Sequence, residues 1–196
     1  MQIDSKIFES FGKSYIESIE SAFEDLDWRS VDELYVDLKR CWKEKKSVFY
    51  FGNGGSAGNA IHIVNDYVYG IARKRGAGLD AISLSSNAAV ITCLGNDISY
   101  NSIFAEQIAV HAREGDVIVA LSGSGNSENI ISGILEAKKR KIKTHAIVAY
   151  DGGEVKKIVD NCIHLPINDM QVAEDSQLMI SHMIMQKLYQ DRKSVL

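Results

Sequence analysis

The feature that most restricts the fold is a series of short, uninterrupted apolar runs in the second part of the chain. Five such runs lie at residues 48–51, 80–84, 117–121, 144–149 and 162–165, and segments of helical length separate them. The run Val117-Ile118-Val119-Ala120-Leu121 is continuous rather than alternating, which is typical of a parallel strand covered on both faces. Repeated strand–helix units connect through right-handed crossovers. The sequence therefore predicts an α/β fold with a doubly wound parallel sheet.

Two helices are predicted ahead of the first strand. In the first, apolar residues recur at steps of three and four, which predicts one buried stripe made of Phe8, Phe11, Tyr15, Ile19, Ala22 and Leu26. Ser30 and Glu33 have the spacing of a capping box, so the second helix is predicted to begin there. These helices either cover the sheet or meet another subunit.

The length and composition fit one compact domain. The chain has 196 residues, of which 45% are apolar and 24% charged, as in an ordinary globular protein. The only proline, Pro166, follows the last apolar run, and a long helix is predicted from about residue 172 to about residue 189. We therefore expect a single domain over residues 1–196, with a helical extension at 1–46 and an α/β core with its C-terminal helix at 47–196.

Charge and cysteine content narrow the possible partners and the compartment. The net charge of −4, with scattered lysine and arginine, argues against nucleic acid or an anionic membrane as a partner. Cys41, Cys93 and Cys162 are odd in number and form no CxxC pair, which favours reduced thiols over a disulfide framework. The N-terminal residues are charged where a signal peptide is apolar, and no apolar run approaches the roughly 20 residues of a membrane helix. The sequence predicts a cytoplasmic protein.

Two similar glycine- and serine-rich loops follow the first and third apolar runs. They are Gly52-Asn53-Gly54-Gly55-Ser56 and Ser122-Gly123-Ser124-Gly125-Asn126-Ser127. In an open parallel sheet, ligands bind beyond the carboxyl ends of the strands. Each loop leads into a predicted helix, whose first N–H groups are unpaired and attract anions. One such loop can be simply a turn, and neither has the lysine of a P-loop. Two in one sheet favour a phosphate site.

Titratable residues on two predicted helices are candidates for chemistry. His62 and Asp66 are four residues apart and share a helical face, as expected for a metal pair, an acid/base pair or a surface contact. Glu174 and Asp175 precede His182 by about two turns, and a lone histidine there could also be a hydrogen-bonded core residue. Seven residues is nearer two turns than eight, so the spacing pairs Asp175 with His182 slightly better than Glu174.

Four segments together resemble the sugar isomerase (SIS) domain. They are GNGGSAGNAIH at 52–62, CLGND at 93–97, LSGSGNSENI at 121–130 and EDSQLMISH at 174–182. More narrowly, they resemble the phosphoheptose isomerases, which convert sedoheptulose 7-phosphate in bacterial heptose synthesis. The resemblance covers nearly the whole chain. It implies a five-stranded, flavodoxin-like sheet and a homotetramer with active sites at subunit interfaces. It also implies aldose–ketose isomerisation of a sugar phosphate.

The resemblance also implies roles for individual residues. The sugar would contact or lie near Asn53, Gly54, Gly55, Ser56, Asn96, Asp97 and Glu174. The phosphate would be held by Ser122, Gly123, Ser124 and Ser127. Asp66 would act as the base and His182 as the acid of an enediol mechanism. Family members that bind zinc have ligands at the positions of His62, Asp66, Glu174 and His182.

The chain departs from the family pattern at three of these positions. Asp66 replaces a glutamate, Glu174 replaces a glutamine, and Gly123 lies where many members have threonine. Two alternatives therefore accompany the isomerase hypothesis. One is a non-catalytic SIS module that binds a phosphosugar or a protein, and the other is an isomerase for a different sugar phosphate. Retention of His62, Asp66 and His182 together favours an enzyme.

Overall fold

The chain forms a five-stranded, all-parallel sheet between two layers of helices. The computed structural model describes residues 6–196. The strands are β1 (Ser47–Gly52), β2 (Asp80–Ser83), β3 (Val117–Ser122), β4 (Lys143–Val148) and β5 (Asn161–His164). Their order in the sheet is β2-β1-β3-β4-β5, and all four neighbouring pairs are parallel. This confirms the doubly wound α/β fold, and the five apolar runs correspond to the five strands. The strand order reverses between β1 and β3.

Eight α-helices flank the sheet in the described part of the chain. They are α1 (Ile7–Glu24), α2 (Trp28–Glu44), α3 (Gly54–Asn65), α4 (Ala88–Asp97), α5 (Ile103–His111), α6 (Glu128–Lys139), α7 (Gly153–Ile158) and α8 (Met170–Asp191). A π-helical turn at Asp66–Gly70 continues α3. Short 3₁₀ turns lie at Tyr100–Ser102 and Arg192–Ser194.

Each face of the sheet has its own apolar core. Tyr50 of β1 packs on the side of α2, α3 and α8, while its neighbours Phe49 and Phe51 pack on the side of α5 and α6. All three side chains are at most 1% exposed. Because successive residues of a strand point to opposite faces, burial on both sides requires every position to be apolar. This is why the strands appear in the sequence as continuous runs.

The predicted start of the second helix was wrong by three residues. Helix α2 begins at Trp28, and its N-cap is Asp27, whose carboxylate accepts a hydrogen bond from the backbone N–H of Arg29 at 3.1 Å. The hydroxyl of Ser30 donates to the carbonyl of Asp27 instead of capping the helix. Aspartate is as good an N-cap as serine, so the earlier cap extends the helix.

The predicted stripe of α1 is buried only at its C-terminal end. Ala22 and Leu26 are 2% and 5% exposed, whereas Phe8 and Phe11 are 82% and 64% exposed. The prediction of one continuous buried stripe was therefore wrong for this chain taken alone. The periodicity shows that one face of the helix is apolar, but it does not show which part of the protein, or which subunit, packs against that face.

The remaining sequence expectations concern cysteines and membrane helices. Cys41, Cys93 and Cys162 are all free thiols. Burial raises the pKa of the Cys41 and Cys162 thiols to about 11. Between residues 6 and 196, no helix has both the length and the apolar character to span a bilayer.

Candidate active site

A cavity of about 250 Å³ opens where the strand order reverses, beyond the carboxyl ends of β1 and β3. The two glycine- and serine-rich loops and the start of α8 form its walls. Its lining residues are Asn53, Gly54, Gly55, Ser56, Leu121, Ser122, Gly123, Ser124, Ser127, Met170 and Glu174. The structure therefore brings together nine of the eleven residues predicted to contact substrate.

The two helices that follow the glycine- and serine-rich loops lack side-chain caps. Asn53 precedes α3 and Ser127 precedes α6, yet neither side chain accepts a hydrogen bond from its helix. Elsewhere Asp27, Asn87 and Asp169 do cap α2, α4 and α8. Asparagine and serine are good N-caps, so the missing caps leave backbone donors available. Such uncapped N-termini are suited to an anionic ligand.

The side chain of Asn53 is held away from its own helix by a small amide network. Its Nδ2 donates to Asn129 Oδ1 at 2.8 Å, and Asn129 Nδ2 donates back to Asn53 Oδ1 at 2.9 Å. The Tyr100 hydroxyl donates to Asn53 Oδ1 at 3.1 Å. This network links the first loop to α6 and thereby fixes the two loops relative to each other. Sequence reasoning missed Asn129 and Tyr100, because no local pattern links them to Asn53.

The second loop is shaped by its own hydrogen bonds. Ser122 Oγ accepts from the N–H of Gly125 at 3.1 Å, and Ser124 Oγ accepts from the N–H of Asn126 at 3.3 Å. Gly125 has a φ of +67°, and a Cβ atom there would lie 2.1 Å from the carbonyl oxygen of Gly152. Only glycine satisfies both conditions. The loop conformation is therefore held by contacts within the protein itself.

Gly123, one of the three departures from the family pattern, is matched by Met170. A Cβ atom at Gly123 would lie 2.5 Å from Met170 Sδ. A threonine could not occupy this position unless the methionine moved. Met170 thus occupies the part of the cavity wall that a larger residue at position 123 would form. The sequence alone did not identify Met170 as a residue of the site.

Glu174 brings a negative charge into the same cavity. Its carboxylate lies against Gly55, where a Cβ atom would be 2.1 Å from Glu174 Oε2. Within residues 6–196 the carboxylate forms no hydrogen bond or ion pair, although the backbone carbonyl of Glu174 accepts from Asn59 Nδ2 at 2.9 Å. The start of α3 partly offsets this charge, since the N-terminus of a helix is electropositive.

Three titratable side chains meet further along α3 and α8. His62 Nε2 and His182 Nε2 are 3.0 Å apart, and Asp66 Oδ2 lies 3.3 Å from His182 Nε2 and 3.8 Å from His62 Nε2. The Asp66 side chain is 19% exposed, and the two imidazoles are 40–50% exposed. The ligand atoms of all three lie within 4.8 Å of one another. We call these three residues the His–Asp–His cluster.

The two remaining acidic candidates lie outside the His–Asp–His cluster. Glu174 lines the cavity instead, and Asp175 Oδ2 accepts a hydrogen bond from the Tyr15 hydroxyl at 2.7 Å. Burial and this hydrogen bond raise the pKa of Tyr15 to about 12. The pairing of Asp175 with His182 was wrong, because seven residues of one helix separate two side chains by about 10 Å along its axis. The partner of His182 comes from the neighbouring helix.

Asn96 and Asp97 do not line the cavity. They are exposed at the C-terminal end of α4, where Asn96 Nδ2 donates to Asp97 Oδ1 at 2.8 Å. Hydrogen bonds from Asn96 and Cys93 lower the pKa of Asp97. Their predicted place beside the sugar stays a prediction.

The cavity and the His–Asp–His cluster lie on one pair of parallel helices. The contacts between α3 and α8 run in the same direction along both helices, from Gly55 with Glu174 to His62 with His182. From Ser56 to His62 the helical rise is about 9 Å. One elongated ligand could therefore have an anionic end in the loops and its other end at the cluster.

Comparison with known proteins identifies the family. The model of the SIS domain matches residues 13–149. A phosphoheptose isomerase of Clostridium acetobutylicum is 36% identical over 173 residues, which cover 88% of each chain. Solved structures of phosphoheptose isomerases share the fold. That from Francisella tularensis has a TM-score of 0.87 and 24% identity over 96% of this chain and 100% of its own. That from Neisseria gonorrhoeae has a TM-score of 0.82 and 24% identity over 92% and 95%. The chain belongs to the SIS domain family and, within it, to the phosphoheptose isomerases.

Proposed function

We propose that the protein converts sedoheptulose 7-phosphate to D-glycero-D-manno-heptose 7-phosphate, a step of bacterial heptose synthesis. The observation that carries this proposal is the placement of an anion-binding cavity and the His–Asp–His cluster on one helix pair, about 9 Å apart. The names of the related proteins support the same substrate.

In this proposal the phosphate occupies the second loop. Ser122, Ser124 and Ser127 supply hydroxyl groups there, and Gly123 lets the backbone approach the phosphate oxygens. Asn53, Gly54, Gly55 and Ser56 contact the sugar from the first loop. Glu174 is an acceptor for sugar hydroxyl groups, since its carboxylate has no competing cation among residues 6–196. The negative charge of Glu174 also favours placing the phosphate on the second loop rather than the first.

The isomerisation moves a carbonyl group from C2 of the ketose to C1 of the aldose. The Asp66 carboxylate removes a proton from C1, and His182 donates a proton to the C2 oxygen, which gives an enediol. The O1 proton is then lost, and a proton returns to C2. One positioned acid or base of this kind typically contributes about 10²–10⁴-fold in rate. Asp66 Oδ2 is the oxygen that contacts the imidazoles, while Oδ1 accepts from Asn65 Nδ2 at 3.2 Å.

The His–Asp–His cluster also fits a divalent metal ion, for which Zn²⁺ is the first candidate. Ligand atoms about 2.0–2.1 Å from a tetrahedral Zn²⁺ lie about 3.3 Å apart, and the three distances here are 3.0, 3.3 and 3.8 Å. His62, Asp66 and His182 would hold the ion. When bound, such an ion polarises a carbonyl group and stabilises negative charge on oxygen. His182 cannot donate a proton from Nε2 while that nitrogen binds a metal, so the two roles of His182 exclude each other.

The assembly that we propose is a homotetramer with active sites at subunit interfaces. Exposed apolar side chains on α1 and beside the His–Asp–His cluster support it. Those on α1 are Ile7, Phe8, Phe11 and Ile16, and those near the cluster are Ile61, Tyr69, Met179 and Met183. Exposed apolar side chains near each other are typical of an interface. Sedimentation equilibrium at micromolar concentration tests the assembly, and a monomer would contradict it.

The decisive experiment measures turnover of sedoheptulose 7-phosphate by the purified protein, with and without a chelator. We expect turnover. Loss on chelation with recovery on addition of Zn²⁺ would assign His182 to the metal and the proton donation to another group. Turnover unaffected by thorough chelation would leave His182 as the acid and exclude an essential metal. Binding of the sugar phosphate without any turnover, also with added Zn²⁺, would instead support the non-catalytic binding module.

A further inference from the structure

Asp66 lies at the start of a π-helical turn rather than within a regular α-helix. The N–H of Ile71 donates to the carbonyl of Asp66 at 3.1 Å, which is the i to i+5 bond of this geometry. Turns of this type are uncommon and occur frequently at functional sites. The turn shifts the register of the residues after α3, so its own anchoring affects where the Asp66 carboxylate lies.

Two main-chain contacts hold the turn from the side of β2. The N–H of Leu79 donates to the carbonyl of Tyr67 at 3.0 Å. Gly78 lies directly against the carbonyl of Val68, where a Cβ atom would be 1.7 Å from the oxygen. These contacts fix the turn to the sheet but not to α8, which carries His182.

Besides the contact between Asp66 and His182, one hydrogen bond among residues 6–196 links the turn to α8, and it comes from Tyr67. The Tyr67 hydroxyl donates to the carbonyl of Ser181 at 3.2 Å. Tyr67 is fully buried, and its ring lies 5.7 Å from that of Tyr50. Because a carbonyl oxygen can only accept, the Tyr67 hydroxyl is the donor of this hydrogen bond.

We propose that Tyr67 is a positioning residue whose hydroxyl sets the distance between Asp66 and His182. Tyr67 directly follows Asp66, and Ser181 directly precedes His182. The hydrogen bond therefore joins the two backbones one residue away from the 3.3 Å contact between Asp66 Oδ2 and His182 Nε2. The inference rests on the proposed role of the His–Asp–His cluster. It adds a residue that contacts neither substrate nor metal.

The ring and the hydroxyl of Tyr67 have separable effects. A phenylalanine would fill the same space in the core, so Tyr67→Phe removes the link to α8 without leaving a cavity. The chain offers a matched control in Tyr50, which is equally buried and packs on the same ring. The Tyr50 hydroxyl forms no hydrogen bond of normal geometry within residues 6–196. Tyr50→Phe therefore makes the same chemical change without touching α8.

The test measures Co²⁺ affinity from its visible absorption, together with kcat and KM, for the wild type and both variants. Loss of a residue that orients metal ligands typically costs about 10–100-fold in metal affinity or activity. We expect Tyr67→Phe to weaken Co²⁺ binding and lower kcat by about 10-fold or more, with KM within about two-fold. Tyr50→Phe should match the wild type in all three. Wild-type Co²⁺ affinity and kcat in Tyr67→Phe, or equal losses in both variants, would overturn the inference.

The Co²⁺ measurement separates this inference from the proposed function. A wild type that binds Co²⁺ but does not turn over sedoheptulose 7-phosphate refutes the proposed substrate, while the comparison of the two variants still decides the role of Tyr67. A wild type that binds no Co²⁺ overturns the inference, because the cluster is then not a metal site for Tyr67 to position.

Discussion

The two ends of the α3–α8 helix pair are built from opposite kinds of chemistry. At the start of the helices, the cavity offers backbone N–H groups, serine hydroxyls and glycine surfaces, with Glu174 as its single charged side chain. About 9 Å further along, the His–Asp–His cluster consists entirely of titratable side chains. The first end can hold an anion without changing its protonation state. The second can exchange protons or hold a cation, and the negative charge of Asp66 there repels a phosphate.

This difference predicts how substitutions divide between the kinetic constants. A group that binds substrate and transition state equally changes KM, whereas a group that acts only in the transition state changes kcat. Variants in the loops should therefore act mainly on KM, and variants in the cluster mainly on kcat. A variant that violates this division would show that the two ends do not serve one ligand.

The largest effect is expected from Asp66→Asn. The amide keeps the shape of the side chain but cannot accept the C1 proton, so kcat should fall at least about 10²-fold while KM stays within a few-fold. Steady-state kinetics with sedoheptulose 7-phosphate measure both constants.

Asp66→Glu, which restores the longer side chain of the family, is the companion variant. Retained activity would mean that the site accepts either length, and complete loss would mean that its geometry is built around aspartate. Wild-type kcat in Asp66→Asn would refute its role as the base.

A smaller effect, on KM, is expected from Ser124→Ala. One hydrogen bond to a charged group contributes about 1.5–3 kcal/mol, so KM should rise about 10-fold or more with little change in kcat. Ser86→Ala is a suitable control, because this exposed hydroxyl donates to the carbonyl of Ser83, outside the cavity lining. Unchanged kinetics in Ser124→Ala would place the phosphate elsewhere.

Glu174→Gln sharpens the comparison, because Glu174 is the one charge at the loop end. Removing a negative charge near a bound phosphate should lower KM by about five-fold, equivalent to about 1 kcal/mol of repulsion at a solvated site. Asp175→Asn makes the same charge change one residue later, where the carboxylate contacts Tyr15, and should leave KM unchanged. If Glu174→Gln instead lowered kcat and metal affinity, Glu174 would belong with the His–Asp–His cluster as a fourth ligand.

The fold could be predicted from the sequence because its signals are local. Strands covered on both faces must be apolar at every position, and the five runs at 48–51, 80–84, 117–121, 144–149 and 162–165 therefore located the sheet. The cap of α2 was misassigned because Asp27 and Ser30 are both good N-caps, and only the folded chain decides between them. The exposure of Phe8 could not be predicted, since the pattern does not identify the covering surface.

The candidate site was predictable where its residues lie together in sequence, as in the two loops. Contacts between distant elements were not. Asp66 with His182, Asn53 with Asn129 and Glu174 with Gly55 each join different helices or loops, and no spacing rule gives such pairs. The resemblance to the family supplied Asp66 and His182 by position. It could not supply Met170 or Tyr67, whose roles depend on packing in this chain.

The smallest effect on catalysis is expected at a pair remote from both ends, the half-buried Asp37 and the buried His145. His145 on β4 is fully buried, and its Nε2 lies 2.9 Å from Asp37 Oδ2 on α2. On the other side of the ring, Asn161 Nδ2 lies 2.9 Å from His145 Nδ1. An amide nitrogen can only donate, so His145 Nδ1 accepts the hydrogen bond from Asn161. His145 Nε2 therefore carries the hydrogen and donates it in a hydrogen bond to Asp37 Oδ2.

Burial raises the pKa of Asp37, but the hydrogen bond from His145 and the nearby charge of Arg40 outweigh it, so the pKa is lowered overall. A carboxyl group with a lowered folded-state pKa stabilises the protein above its unfolded pKa, near 4, and this contribution is lost as pH falls through the folded value.

Asp37→Asn keeps an acceptor for His145 and removes the charge. We expect a loss of about 1 kcal/mol in the free energy of unfolding at pH 7, a difference from wild type that shrinks below about pH 4, and unchanged kcat and KM. Urea unfolding at pH 7 and pH 3 measures the first two. An equal stability loss at both pH values would show that Asp37 acts through packing rather than charge, and a change in kcat would extend the active site to the far end of the sheet.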